Sequence, residues 1–267
     1  MEYLIGFFIA LFIALTGVGA GTITVPTLVL FLGVPASPAV AIGLMFATAI
    51  KFILLPTQIL RKNVAWRTLG FMLLGGLPGV ILGSIVLKHL VTTGSQTAVN
   101  AVLGFILVLT AAWQILFSFR KMKDDAQRPD RSRLLGALMF PVGAEVGFSS
   151  AGAGALGSAA LLTLTPLAPA QVVGTDIAFG FLVSLVGSGI HWANPSGGGA
   201  DSQLLLHLIL GGVFGAVTGT LLSTSIPRRP LRLALWLWLL VLGGQFLFNS
   251  YQVWSSPDDV HAASHQR

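Results

Sequence analysis

Long apolar runs that almost exclude charge constrain this chain more than any other feature. Such runs cover Ala39–Leu60, Thr68–Lys88, Thr97–Phe119, Ala170–Trp192, Gln203–Thr224 and Leu233–Phe248. A helix needs about 20 apolar residues to cross a bilayer, and these runs are of that length. In lipid every backbone polar group must be satisfied internally, so the spans must be helical. Only 9% of the residues are charged, against about 25% in a soluble domain. The sequence therefore predicts an all-α, polytopic integral membrane protein. No loop is long enough to hold a soluble domain.

Two shorter apolar pairs behave differently. The first runs from Leu4 to Thr16 and from Thr22 to Leu32, broken by Gly17-Val18-Gly19-Ala20-Gly21. The second runs from Leu134 to Val146 and from Leu156 to Thr165, broken by Gly147-Phe148-Ser149-Ser150-Ala151-Gly152-Ala153-Gly154. Each glycine costs a helix about 1 kcal/mol against alanine. Non-helical backbone at membrane depth is tolerated only inside protein or beside a watery cavity. Each pair is thus either one interrupted helix or a hairpin of two half-depth helices, and its break faces inward.

The breaks recur in register. Gly19-Ala20-Gly21 aligns with Gly152-Ala153-Gly154, and Pro38-Ala39 before Gly43 with Pro169-Ala170 before Gly174. Gly75-Gly76, Gly79 and Gly83 align with Gly211-Gly212, Gly215 and Gly219. This order predicts two homologous repeats, each a glycine-broken helix pair plus three spans. The expected division is residues 1–119, a basic cytoplasmic loop at 120–133, residues 134–250 and a polar tail at 251–267.

The charges bear on orientation. If each broken pair is a hairpin, the second repeat is inverted, and the basic segments at Arg61/Lys62/Arg67, 120–133 and Arg228/Arg229/Arg232 all fall on one side. If each pair is one span, the third segment falls on the other side. Clustering of Lys and Arg on the cytoplasmic side favours inversion. The same clustering explains the net charge of +6 without nucleic acid. Glu2, with no basic residue before the apolar core, argues for a retained membrane segment and against a cleaved leader. The chain has no cysteine, and its His spacing suggests no metal site. Cofactors are expected to be none. Gly17-Val18-Gly19-Ala20-Gly21 lacks the strand context of a dinucleotide loop.

Matching breaks in two halves are the sequence pointer to a transporter's binding site. A helix restarting after a break presents free N–H groups at its positive dipole end, which suits an anion. Gly19, Gly21, Thr22, Thr24, Ser149, Ser150, Gly152 and Gly154 are the candidate substrate contacts. Lys51, the only Lys or Arg within a span, is a further one, because a buried charge must face the interior. Glu145 and Asp176 are the acids within spans and the candidates for ion coupling. Either acid could alternatively be Lys51's structural partner.

The glycine stretch followed by Pro26, the Val173-Gly174-Thr175-Asp176 stretch, the His191–Asp201 region and the two Gly-Gly-x-x-Gly-x-x-x-Gly spans together resemble the sulfite exporter TauE/SafE family. The resemblance covers roughly Leu4 to Phe248. Ser149-Ser150-Ala151 departs from it, standing where more glycine is common. The resemblance implies a multi-pass transporter in the bacterial plasma membrane that moves small anions, typically sulfur oxyanions or organosulfonates. Expected partners are a small-molecule anion and membrane lipids, with no nucleic acid; a homodimer is compatible with the sequence. Two other readings stand beside transport. One is an intramembrane enzyme pairing Ser149 or Ser150 with His191; the other is a non-transporting membrane subunit.

Overall fold

The structure, a computed structural model, describes residues 1–16, 19–93, 96–118, 130–151, 154–192, 201–222 and 228–255. The described residues form ten α-helices and one 3-10 turn, with no strand. The helices are α1 (Glu2–Thr16), α2 (Ala20–Leu32), α3 (Ala36–Leu60), α4 (Trp66–Thr92), α5 (Gln96–Ser118), α6 (Leu135–Ser149), α7 (Ala155–Leu164), α8 (Pro169–Trp192), α9 (Ser202–Leu222) and α10 (Arg228–Ser255). Six of them, α3, α4, α5, α8, α9 and α10, are long and apolar enough to cross a membrane. Large apolar side chains such as Phe52, Leu74, Phe105, Phe214 and Val241 stand exposed on them, as a lipid-facing surface requires. Helix α10 continues to Ser255, so the expected polar tail begins as helix. The breaks fall as expected between α1 and α2 and between α6 and α7. Ala20 and Gly21 already belong to α2.

Small residues set which helices pack and in which direction. Gly211, Gly215 and Gly219 of α9 seat against Tyr3, Phe7 and Leu11, so α1 and α9 run parallel. Gly75, Gly79 and Gly83 of α4 seat against Gly136, Phe140 and Ala144, so α4 and α6 run parallel. Stripes of this kind let backbones approach closely in lipid, where no hydrophobic force drives helices together. Helix α3 crosses α8 in the opposite sense: Leu44 touches Gly187, the Thr48 hydroxyl bonds Ser184 at 3.1 Å, and Lys51 meets Gly180. Gly104 against Phe246 and Gly243 against Val108 make α5 and α10 antiparallel. Gly76 against Phe179 and Val80 against Gly187 make α4 and α8 parallel.

These contacts decide the course of the chain at the breaks. Let α3 run toward a first face. Then α8 and α4 run away from it. The four steps from Thr92 to Gln96 reach only about 14 Å, so α5 returns, and α10 runs away. The six steps from Leu222 to Arg228 reach about 21 Å, too short to cross about 30 Å of hydrocarbon. Helix α9 therefore runs toward the first face, and α1 with it. Val25 packs on Gly43 across the turn at 33–35, so α2 runs opposite to α3. Ser158 bonds Asp176 across the turn at 165–168, so α7 runs opposite to α8. The helices on the two sides of each break thus run opposite to one another. The C-terminal ends of α3, α5 and α9 share the first face.

Gly75→Val is expected to lower the melting temperature of the detergent-purified protein by several degrees. A Cβ there would run into the Gly136 carbonyl, and overpacking of this kind costs about 1–3 kcal/mol. Gly70→Val, where nothing lies within 4 Å, is the control and should leave it unchanged.

Candidate functional site

The two breaks meet. Gly21, in the first turn of α2, lies so close to Ser150 that a Cβ would collide with the Ser150 carbonyl and hydroxyl. A Cβ at Gly43 of α3 would stand 3.1 Å from the Ser150 Oγ. Helix α6 ends here because Ser150 takes the left-handed conformation, with φ of 61°. Its N–H closes the last turn on the Val146 carbonyl at 2.8 Å. The N-cap of α2 is Gly19, which has no side chain with which to cap the helix.

The hydroxyls at the junction divide sharply. The Thr22 hydroxyl donates to the Gly19 carbonyl and that of Thr24 to the Ala20 carbonyl at 2.7 Å. Ser149 donates to the Glu145 carbonyl at 2.8 Å and accepts the Ala151 N–H at 3.2 Å. Ser and Thr in helices bond back to preceding carbonyls in this way, which leaves those three without a proton to offer a ligand. The Ser150 hydroxyl is different: it is buried, with the residue 4% exposed, and has no hydrogen-bond partner among the described residues. Buried hydroxyls are normally satisfied, and an exception calls for an explanation.

Lys51 stands eight residues beyond Gly43 on α3, about two turns and 12 Å of helix rise from the junction. Its Nζ fills the notch over Gly180, and the Asp176 carboxylate is the charge acting on it. Asp176 accepts the Ser158 hydroxyl at 2.9 Å, while its other oxygen lies over Gly157. Gly157 and Ser158 belong to the first turn of α7. Lys51 and Asp176 are both buried. The structure thus joins Lys51 to Asp176, the second of the partners the sequence left open, and places that pair by the start of α7. Glu145 is set apart: its carboxylate accepts the Thr110 hydroxyl of α5 at 2.6 Å.

His191 does not reach either serine hydroxyl. Its Nε2 donates to the Gly147 carbonyl at 3.2 Å, which also takes the Ser84 hydroxyl at 3.3 Å. Both cap a carbonyl that the end of α6 leaves without a partner, so the expected Ser–His pair is not formed. Gly154 opens the first turn of α7. Gly152 lies outside the described residues. Among the described residues no group of His, Asp and Glu could hold a metal ion.

Five residues here take roles the sequence did not signal. Thr110 and Ser158 are ordinary helix residues whose hydroxyls face acids on other helices. Ser84 and His191 converge on one carbonyl from two helices. Gly180 was one glycine among 32.

Six apolar spanning helices, two broken pairs that touch at their breaks and a buried Lys51 and Asp176 place this chain among polytopic membrane proteins, and its relatives give the class as a membrane transporter. Residues 3–246 match the family described as sulfite exporter TauE/SafE, and the chain belongs to it. It is 31% identical over 252 residues to a protein of Bacillus subtilis (strain 168) described as probable membrane transporter protein YjnA. That match covers 90% of this chain and 96% of the relative. No solved structure matches.

Proposed function

We propose that this protein is a secondary transporter that exports a small anion, such as sulfite, another sulfur oxyanion or an organosulfonate, across the bacterial plasma membrane. The observation that carries this is the buried, unpartnered Ser150 hydroxyl at the uncapped start of α2. An anion there would take the hydroxyl proton and the free N–H groups together. Gly21 lets Ser150 close on α2, and Gly19 and Gly154 stand at the starts of the two returning helices. Lys51, about two turns along α3 from Gly43, is the buried positive charge further along the same helix. The family's own description supports the substrate class and the direction.

In this reading the halves are inverted repeats. Helix α1 on α9 answers α6 on α4, and the antiparallel pairs α3–α8 and α5–α10 match one repeat element with its counterpart. The basic residues that follow α3, α5 and α9 in the sequence support assigning the face where those helices end to the cytoplasm. Alternating access is then a rocking of the two hairpins about their contact.

Ser150→Ala is the test. Thermal melting of the detergent-purified protein should rise with sulfite, thiosulfate or methanesulfonate, because a ligand that binds only the folded state stabilises it. A hydrogen bond to a charged group contributes about 1.5–3 kcal/mol, so Ser150→Ala should weaken that response roughly ten- to a hundredfold. Its melting temperature without anion should not fall, since the hydroxyl it removes has no partner. Unchanged anion affinity in Ser150→Ala would overturn the site. No response to any anion would overturn the anion reading.

A further inference from the structure

We propose that the protein forms a two-fold homodimer through α10, in which the Gln245 side chains of the two copies bond to each other at mid-membrane. This goes beyond the anion reading and does not depend on it. The apolar, spanning part of α10 is Leu233–Ser255. Gln245 lies about 18 Å along the helix from Leu233 and about 15 Å short of Ser255, which is mid-depth. It is exposed, and so is Asn249 one turn on. Neither amide has a hydrogen-bond partner among the described residues. The opposite face of α10 is already taken by α5, with Gly243 on Val108 and Phe246 on Gly104.

Hydrocarbon holds no water to satisfy such a group, and an unpaired amide there is costly. Exposed hydroxyls on other spans meet the problem locally. Thr57 donates to the Leu54 carbonyl and Thr220 to the Ala216 carbonyl, each at 2.7 Å. The Gln245 amide has two donor hydrogens and an acceptor oxygen, and the carbonyls of its own helix interior are engaged by helix bonds. Among the described residues no other span exposes an amide at mid-depth. Polar side chains within spans turn toward other helices, and amides bond across helix pairs.

The amide also identifies what covers it. Its hydrogens carry partial positive charge and its oxygen partial negative charge, so it is complementary in charge to a second amide set in reverse across a two-fold axis. All copies of a membrane protein share one orientation, so that axis is normal to the bilayer and α10 meets itself in parallel. Each residue on the axis then faces its own counterpart at the same depth. Ala234, Trp238, Val241, Gln245, Phe248 and Gln252 are all exposed and recur at alternating steps of four and three. That is the spacing of a parallel coiled-coil seam, in which a single polar position fixes the register.

The chain has no cysteine, so one substitution reports on the seam. In membranes holding the full-length protein and oxidised with copper phenanthroline, Val241→Cys and Phe248→Cys should each give a band of twice the monomer mass. Leu74→Cys and Phe214→Cys, at equally exposed positions on α4 and α9, should not. In proteoliposomes, photobleaching of singly labelled wild type should shift from one step to two as protein density rises. Gln245→Leu should raise the dimer dissociation constant about three- to thirtyfold, the range of an interhelical hydrogen bond. It removes no contact within one copy, so its circular dichroism should match wild type and separate loss of the dimer from loss of the fold. One-step bleaching of wild type at every density overturns the interface. So do dimers that form no faster at Val241 than at Leu74, or unchanged association in Gln245→Leu. A crosslinked band of any other mass means that a different protein covers α10, and overturns it as well. The transport reading stands or falls separately, on anion binding.

Discussion

Gly21→Val is expected to abolish anion transport and to lower the thermal stability of the purified protein. Valine is a slightly better helix former than glycine, by a few tenths of a kcal/mol, so local propensity predicts a small gain for α2. The tertiary contact predicts the reverse. The atoms a Cβ would meet are the carbonyl and hydroxyl of Ser150. The carbonyl belongs to a backbone already fixed in the left-handed conformation, so it cannot swing aside like the end of a long side chain. Overpacking costs about 1–3 kcal/mol even where side chains can shift, and here α2 must move off α6. Separating the two hairpins would carry the Ser150 hydroxyl away from the start of α2. Flux of methanesulfonate in proteoliposomes and melting in detergent are the two readouts. Gly244→Val, with nothing within 4 Å, serves as the control on a span. Wild-type flux in a folded Gly21→Val would mean that the junction is not where the anion passes.

The second large effect is on the buried pair. Lys51→Met should lower the stability of the protein, because it leaves the buried Asp176 carboxylate without the positive charge that acts on it. The remaining Asp176 would stay buried at neutral pH with its Ser158 bond but without its counter-charge. Lys51→Met combined with Asp176→Asn should recover most of that loss, because an uncharged pair of similar volume is often nearly neutral for stability. Neither variant should transport, since both lack the cation. The two measurements separate two roles for Lys51. Stability that recovers in the double variant while flux does not would mean that Lys51 acts on the substrate as well as on Asp176. Equal stability of Lys51→Met and wild type would mean that Asp176 does not depend on Lys51.

Length and apolarity determined the membrane class, the six long helices and the two broken pairs, because hydrocarbon accepts little besides closed helices. The glycine runs fixed where the pairs break, to within a few residues, because three glycines in five positions weaken any helix locally. Lys51, Glu145 and Asp176 stood out for a similar reason: an ionisable group in a span is costly wherever its helix packs. The rest depended on which helices touch. Hydropathy cannot say whether a broken pair continues or doubles back, since both bury the same residues; the contacts of Gly211, Gly43 and Gly180 with other helices decided it. Four hydroxyls had equal claims in the sequence. Thr22, Thr24 and Ser149 were removed as donors by bonds to carbonyls three or four residues earlier in the chain, and Ser150 was left because it falls where α6 has already ended. Likewise, the choice of Asp176 over Glu145 as the partner of Lys51 came from the antiparallel packing of α3 on α8. Pairing across helices is set by direction and register, and neither is written in the local sequence.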